Sequence, residues 1–150
     1  MRRLLAAVMI SGLATLTLGA QAPARQAGGE PKTTWYFYTV KWGMQDEFVD
    51  LFQRNHYPVL KAKEKAGMFR SVRTYVPEFH GDGRADWTFA VELVAPPNPP
   101  TSPSDEEIIG KLYPDRPKFA REEQRRFEIL AAHWDVPLNR LDLDTRKPTR

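Results

Sequence analysis

Cysteine is absent from the 150 residues, and histidine occurs only three times. No disulfide can form, no C-x-x-C-H run can attach a haem, and no lipid-modified cysteine can tether the chain. Three scattered histidines without an H-E-x-x-H spacing leave no dedicated zinc site, so no metal is expected. The G-x-G-x-x-G and P-loop signatures of nucleotide binding are missing, as is the G-x-S-x-G elbow of a serine nucleophile. No cofactor is expected. A large excess of charge of one sign is also lacking. The chain carries 22 Lys and Arg against 19 Asp and Glu. Two of the basic residues, Arg2 and Arg3, lie in a segment read below as removable, which leaves 20 against 19. Nothing in that balance drives binding to nucleic acid.

What is present begins with MRRLLAAVMISGLATLTLGAQAPA. Two arginines precede a mostly apolar stretch over residues 4–18, and small residues follow, with cleavage expected after Ala20, Ala22 or Ala24. This is the pattern of a secretory signal peptide, and the stretch is too short for a comfortable membrane span. Residues 1–22 are read as the signal and 23–33 as a flexible leader. The protein is expected to be periplasmic or secreted, with no membrane segment after cleavage. A remaining chain of roughly 125 residues is long enough to build one core without disulfide staples.

The rest, 34–143, is expected to form a single domain, followed by a polar tail over 144–150. TWYFYTVKW, 34–42, is aromatic and β-branched, with large apolar groups on both faces, and predicts a first strand. Gly43 ends it, and a helix over 44–66 follows, stopped by Gly67. Strands are predicted over 68–76 and 85–94. The second alternates, with Trp87, Phe89, Val91 and Leu93 on one side. APPNPPTSPS cannot join a ladder and reads as an extended connector. Ser104 and Glu107 have the spacing of a capping box, so a short helix should run to about Leu112. A longer helix is predicted over 116–134 and a short last strand over 136–143.

The order β-α-β-β-α-β predicts an α+β, ferredoxin-like antiparallel sheet with helices on one face. The strand–Gly–helix opening VKWGMQDEFVDLF resembles that of the dimeric α+β-barrel superfamily, which includes antibiotic-biosynthesis-type monooxygenases, EthD-like and NIPSNAP-like proteins. The resemblance implies a homodimer that pairs its sheets, and a ligand cleft between sheet and helices. It implies architecture far more than reaction.

The first long helix carries an anomaly. On a helical wheel Phe48, Phe52, Val59 and Ala66 mark the middle of an apolar stripe, yet Asn55 falls in that middle and His56 at its edge. Pro58 cannot donate to the carbonyl of Arg54, so the helix should bend, and Tyr57 should leave helical geometry. Two readings follow. The bend wraps the helix round the sheet and nearby backbone satisfies Asn55 and His56, or the polar notch faces a ligand. The second helix matches it, with Glu123 in a stripe of Phe119, Phe127, Leu130 and Trp134. Such a carboxylate needs a partner, and Arg116, Arg126 or His56 could supply one. If His56 and Glu123 meet, they form a general acid–base pair and the catalytic candidates. Asn55, Tyr38, Arg73 and Trp134 are the candidate ligand-binding residues. Arg70 and Arg73 lie on opposite faces of their strand and suit an anion or an interface ion pair. His80 belongs to a turn, and His133 is expected at a helix end, where its charge complements the dipole. Two function classes stay open. One is a protein that binds, and if an enzyme transforms by proton transfer or cofactor-independent oxygenation, a small partly aromatic molecule. The other is a non-catalytic accessory protein whose barrel serves dimerisation.

Overall fold

Lys32–Val40, a nine-residue run of aromatic and β-branched side chains, forms β1 and lies inside the sheet, where both of its faces find neighbours. The computed structural model describes residues 29–78 and 87–147. The predicted signal peptide, most of the leader, the turn bearing His80 and the last three residues lie outside them. After β1 come α1 (Gln45–Leu51), a π-helical turn (Phe52–His56), α2 (Tyr57–Lys65), β2 (Ser71–Tyr75) and β3 (Phe89–Ala95). The described chain continues with α3 (Asp105–Leu112), α4 (Arg116–Glu128) and β4 (Leu130–Leu138). The four strands are antiparallel in the order β2-β3-β1-β4. This is the ferredoxin-like arrangement.

One sheet face packs on the helices. Tyr38, Val40, Phe89, Val91, Leu93 and Val72 meet Phe48, Leu51, Phe52 and Leu60 to make the core. Phe48 is fully buried, with the rings of Tyr38, Phe52 and Phe89 all within 6.0 Å of its own. Gly43 and Gly67 both have φ near +80°, which glycine adopts without a Cβ penalty, and they end β1 and α2 respectively. The capping box forms as expected, with Ser104 N–H donating to Glu107 Oε2 at 2.7 Å.

Three local expectations are corrected. The strand β1 stops at Val40, so Trp42 stands in the turn, 90% exposed. Trp87 precedes β3 and packs against Phe37 on the face away from the helices, so it does not share a side with Phe89. Thr88, just before β3, closes the end of the β1–β3 pairing with its hydroxyl, accepting from the Val40 N–H at 2.9 Å and donating to the Tyr38 carbonyl at 3.2 Å. Third, α4 ends at Glu128, not at 134, and Leu130 to Leu138 run as β4 instead of a helix end. Pairing along β1 from Thr33 to Val40 outweighs the local helix preference of Leu-Ala-Ala. His133 is therefore a mid-strand residue opposite Tyr38, paired with Asp135 at 3.3 Å, with no helix dipole to complement.

The other face carries a row of rings across the sheet. Tyr75, Trp35, Phe37 and Trp134 follow one another at centroid distances of 4.9, 5.8 and 5.5 Å. Ala90 lies beneath them on β3, and its small side chain lets the rings close over the strand. Among the described residues no helix covers this face.

Candidate functional site

Pro58 is accommodated by the π-helical turn. Tyr57 stays in right-handed helical geometry (φ −59°, ψ −42°), contrary to the expectation for a residue before proline, and donates to Phe52 O five residues back. The looser turn relieves the clash that proline would make with the preceding turn of an α-helix. The freed backbone acceptors are then met by a residue the sequence did not single out. Tyr113, between α3 and α4, directs its hydroxyl to the carbonyls of Asn55 at 2.7 Å and Arg54 at 3.0 Å. Its ring stacks on Phe119 at 4.4 Å. Nothing in the sequence marks that reach; the only local sign is the Tyr113-Pro114 break between two helices.

Consecutive glutamates on α4 hold consecutive residues of the turn. The Asn55 amide, 2% exposed, donates to Glu122 Oε2 at 2.9 Å. His56 Nδ1 lies 3.3 Å from Glu123 Oε2. The partners of Asn55 and His56 are thus side chains of the opposite helix, not nearby backbone. Glu123 is gripped from its other side by Arg126, with Nε at 3.0 Å from Oε1 and Nη2 at 2.8 Å from Oε2. Arg116 pairs instead with Glu106. Burial pushes the Glu123 carboxyl up, but hydrogen bonds from His56 and Arg126, with the charge of Arg126, outweigh it and bring its pKa down to about 2. Arg126 itself is 1% exposed, with Phe52 and Phe127 against its guanidinium and its Nη1 without a hydrogen-bond partner among the described residues.

His56 faces a second feature. A cleft of about 190 Å³ opens between α2 and the sheet, lined by Tyr36, Tyr38, His56, Val59, Leu60, Lys63, Phe69, Val91, Leu93 and Asp105. Its apolar walls are interrupted by the polar tips of Tyr36, Tyr38, His56, Lys63 and Asp105. Burial pushes the Tyr38 hydroxyl up to about 12, against the lowering charge of Arg126, so it stays protonated and can donate. The Tyr36 hydroxyl is raised by burial and by Asp135. Nδ1 of His56 is engaged by a carboxylate that stays ionised well into acid, so the natural tautomer keeps the proton on Nδ1 and the lone pair on Nε2.

The chain is similar in fold to a NIPSNAP family protein. That protein, from Agrobacterium tumefaciens, shares 12% identity over 75% of this chain and 88% of its own, with a TM-score of 0.44. A hypothetical Arabidopsis thaliana protein aligns over 77% of this chain and 93% of its own at 10% identity and a TM-score of 0.47. A dimeric ferredoxin-like protein of unknown function from Thermobifida fusca aligns over 75% and 92% at 14% identity and 0.41. No family model matches the sequence, and no curated protein does. Likenesses this distant transfer no residue role.

The six candidate residues therefore separate. His56 and Tyr38 line the cleft, Glu123 meets His56 without lining it, and Asn55 sits one residue away, turned toward Glu122 and a different hollow lined by Tyr113 and Phe119. Arg73 lies on the face away from the helices, 63% exposed and 3.3 Å from Glu92. Trp134 stacks on Phe37 on that same face. Lys63 and Phe69 join the cleft without having been singled out, while Tyr36 lines it as one of the aromatic residues of the first strand. Among the described residues no three His, Asp or Glu side chains converge as a metal site requires.

Proposed function

We propose that the protein binds a small, partly aromatic molecule in the sheet–helix cleft, with His56 as the polar group that meets it. The observation that carries this reading is an open apolar cleft whose one imidazole has its Nδ1 already engaged by Glu123. An apolar cavity of about 150 Å³ accommodates benzene, so the cleft suits a single ring with one or two substituents. Proton transfer is the chemical step the cluster is equipped for: the ligand gives up a proton to Nε2, and Glu123 steadies the imidazolium that forms. A neutral probe such as benzamide should bind with a Kd on the order of 1 mM, shifting the Tyr36, Tyr38 and His56 resonances. In His56→Asn the amide can still donate to Glu123, while the distal nitrogen is gone. Stability should stay within about 1 kcal/mol, with benzamide affinity at least tenfold weaker. Unchanged affinity in that variant would remove His56 from the reading.

A second reading is favoured by the paired contacts Asn55–Glu122 and His56–Glu123, which make the cluster a clamp between the π-turn and α4. In that case the cleft stays empty with every probe and only stability responds.

We further propose a homodimer closed over the row of rings. Four strands about 4.8 Å apart, over seven residues of about 3.3 Å each, present a face of roughly 20 by 23 Å. Tyr75, Trp35, Phe37 and Trp134 make much of that face apolar, with the Arg73–Glu92 pair beside them, and an apolar patch of a few hundred Å² is at the upper end of what a monomer leaves in water. Export is part of the same proposal, resting on Arg2, Arg3 and the apolar stretch over residues 4–18. N-terminal sequencing of the native protein should find a start between Gln21 and Arg25; an intact Met1 would contradict it.

A further inference from the structure

We infer that the cleft takes its ligand as a carboxylate, and that Lys63 is the group that holds the acid. The inference rests on the ligand-binding reading above and names the class of ligand. Lys63 follows His56 by seven residues, about two turns or 10 Å along the helix, and both side chains line the cleft. Its side chain is only 21% exposed, and Nζ lies 5.6 Å from the centre of the Phe69 ring, which lines the cleft beside it. The cation is thus held against an apolar wall and a ring face, where a lysine would not be placed for solubility.

Its partner in the structure is Asp105, 2.8 Å away and 63% exposed. An ion pair whose carboxylate stands largely in water contributes little and exchanges readily. Asp105 is also the first residue of α3, where the helix N-terminus already favours its charge, so it loses little by releasing Lys63. A ligand carboxylate entering between Phe69 and Tyr36 would meet Lys63 with less water around it than Asp105 has, and a charge-assisted bond gains strength as water is excluded. Among the residues lining the cleft, Lys63 is the one fixed cation and Asp105 the one acid. The polarity of the cleft follows: acid group toward Lys63, hydrogen-bonding or proton-yielding group toward His56.

Benzoate and benzamide are near-isosteric and differ in charge, so paired titrations of the full chain by calorimetry or NMR test the inference. Benzoate should bind at least tenfold more tightly than benzamide. Lys63→Gln should bring the two to parity, Lys63→Arg should keep the preference, and Asp105→Asn should tighten benzoate several-fold without changing benzamide. Asp105→Asn lies on an exposed helix end and gives an independent reading should Lys63→Gln fold poorly. Equal affinities in the unaltered protein, or a preference that survives Lys63→Gln, would overturn the carboxylate inference while leaving the cleft reading intact. Failure of both probes to bind would remove the cleft reading, and the inference with it.

Discussion

Glu123→Ala is expected to destabilise the fold by about 3–5 kcal/mol, the usual consequence of stripping one partner from a buried ion pair. Arg126 is 1% exposed and already has one nitrogen without a partner among the described residues. Removing Glu123 takes the acceptor from Nε and Nη2 together, and the remaining polar neighbour, His56 Nδ1, is 3.5 Å from Nη2. A domain of this size holds about 5–15 kcal/mol in total, so the loss should show as a large shift in a urea transition. Glu123→Gln keeps one acceptor and should cost less. The same carboxyl makes stability depend on acid. Its pKa in the fold, about 2, lies below the ordinary 4.5, so the folded state favours its ionised form. That contribution, about 3 kcal/mol, is complete above the ordinary value and is lost as pH falls from about 4.5 toward 2. The gap between the unaltered protein and Glu123→Gln should therefore narrow over that window. A gap of constant size down to pH 2 would contradict the assignment.

Trp134→Lys is expected to separate the proposed dimer. Trp134 ends the row of rings on the uncovered face and is 37% exposed, so a single chain should tolerate a lysine there. In a two-fold interface the substitution occurs twice, and each ammonium must be desolvated against aromatic rings, while Glu92 on the same face is already paired with Arg73. Unpaired or like charges in an interface cost several kcal/mol, about a thousandfold in Kd. Sedimentation at micromolar concentration should find a dimer for the unaltered chain and a folded monomer for the variant. A monomeric unaltered chain would refute the dimer directly.

The elements that could be read from residues alone are those fixed by local chemistry. Aromatic and β-branched residues marked β1, Gly43 and Gly67 marked turns, and Ser104 with Glu107 marked the start of α3. The end of α4 could not be read, because Leu130-Ala131-Ala132 suits a helix and only its ladder with β1 makes it a strand. Register was the hidden variable for the site as well. Alternation put Arg70 and Arg73 on opposite faces without saying which face met the helices, and pairing Arg73 with Glu92 and Glu92 with Trp35 decides it. The meeting of His56 and Glu123 was legible as two polar residues on two apolar stripes. The role of Tyr113 was not, since its hydroxyl acts 58 residues away in sequence on Asn55.

The π-helical turn also sets the phase of everything after it. A turn holding one extra residue lags an ordinary helix by about 100°, so side chains beyond it point where their α-helical predecessors would have pointed. On an uninterrupted wheel Val59 would head the stripe, with Leu60 and Lys63 well to one side. With the lag, Leu60 joins Val59 in the interior, and Lys63 comes round with His56 to line the same cleft. One inserted position thus does what several point substitutions would otherwise be needed for. Among chains of this fold, the presence of that one position should divide those whose helix turns a histidine and a lysine toward the sheet from those whose helix offers it only hydrocarbon.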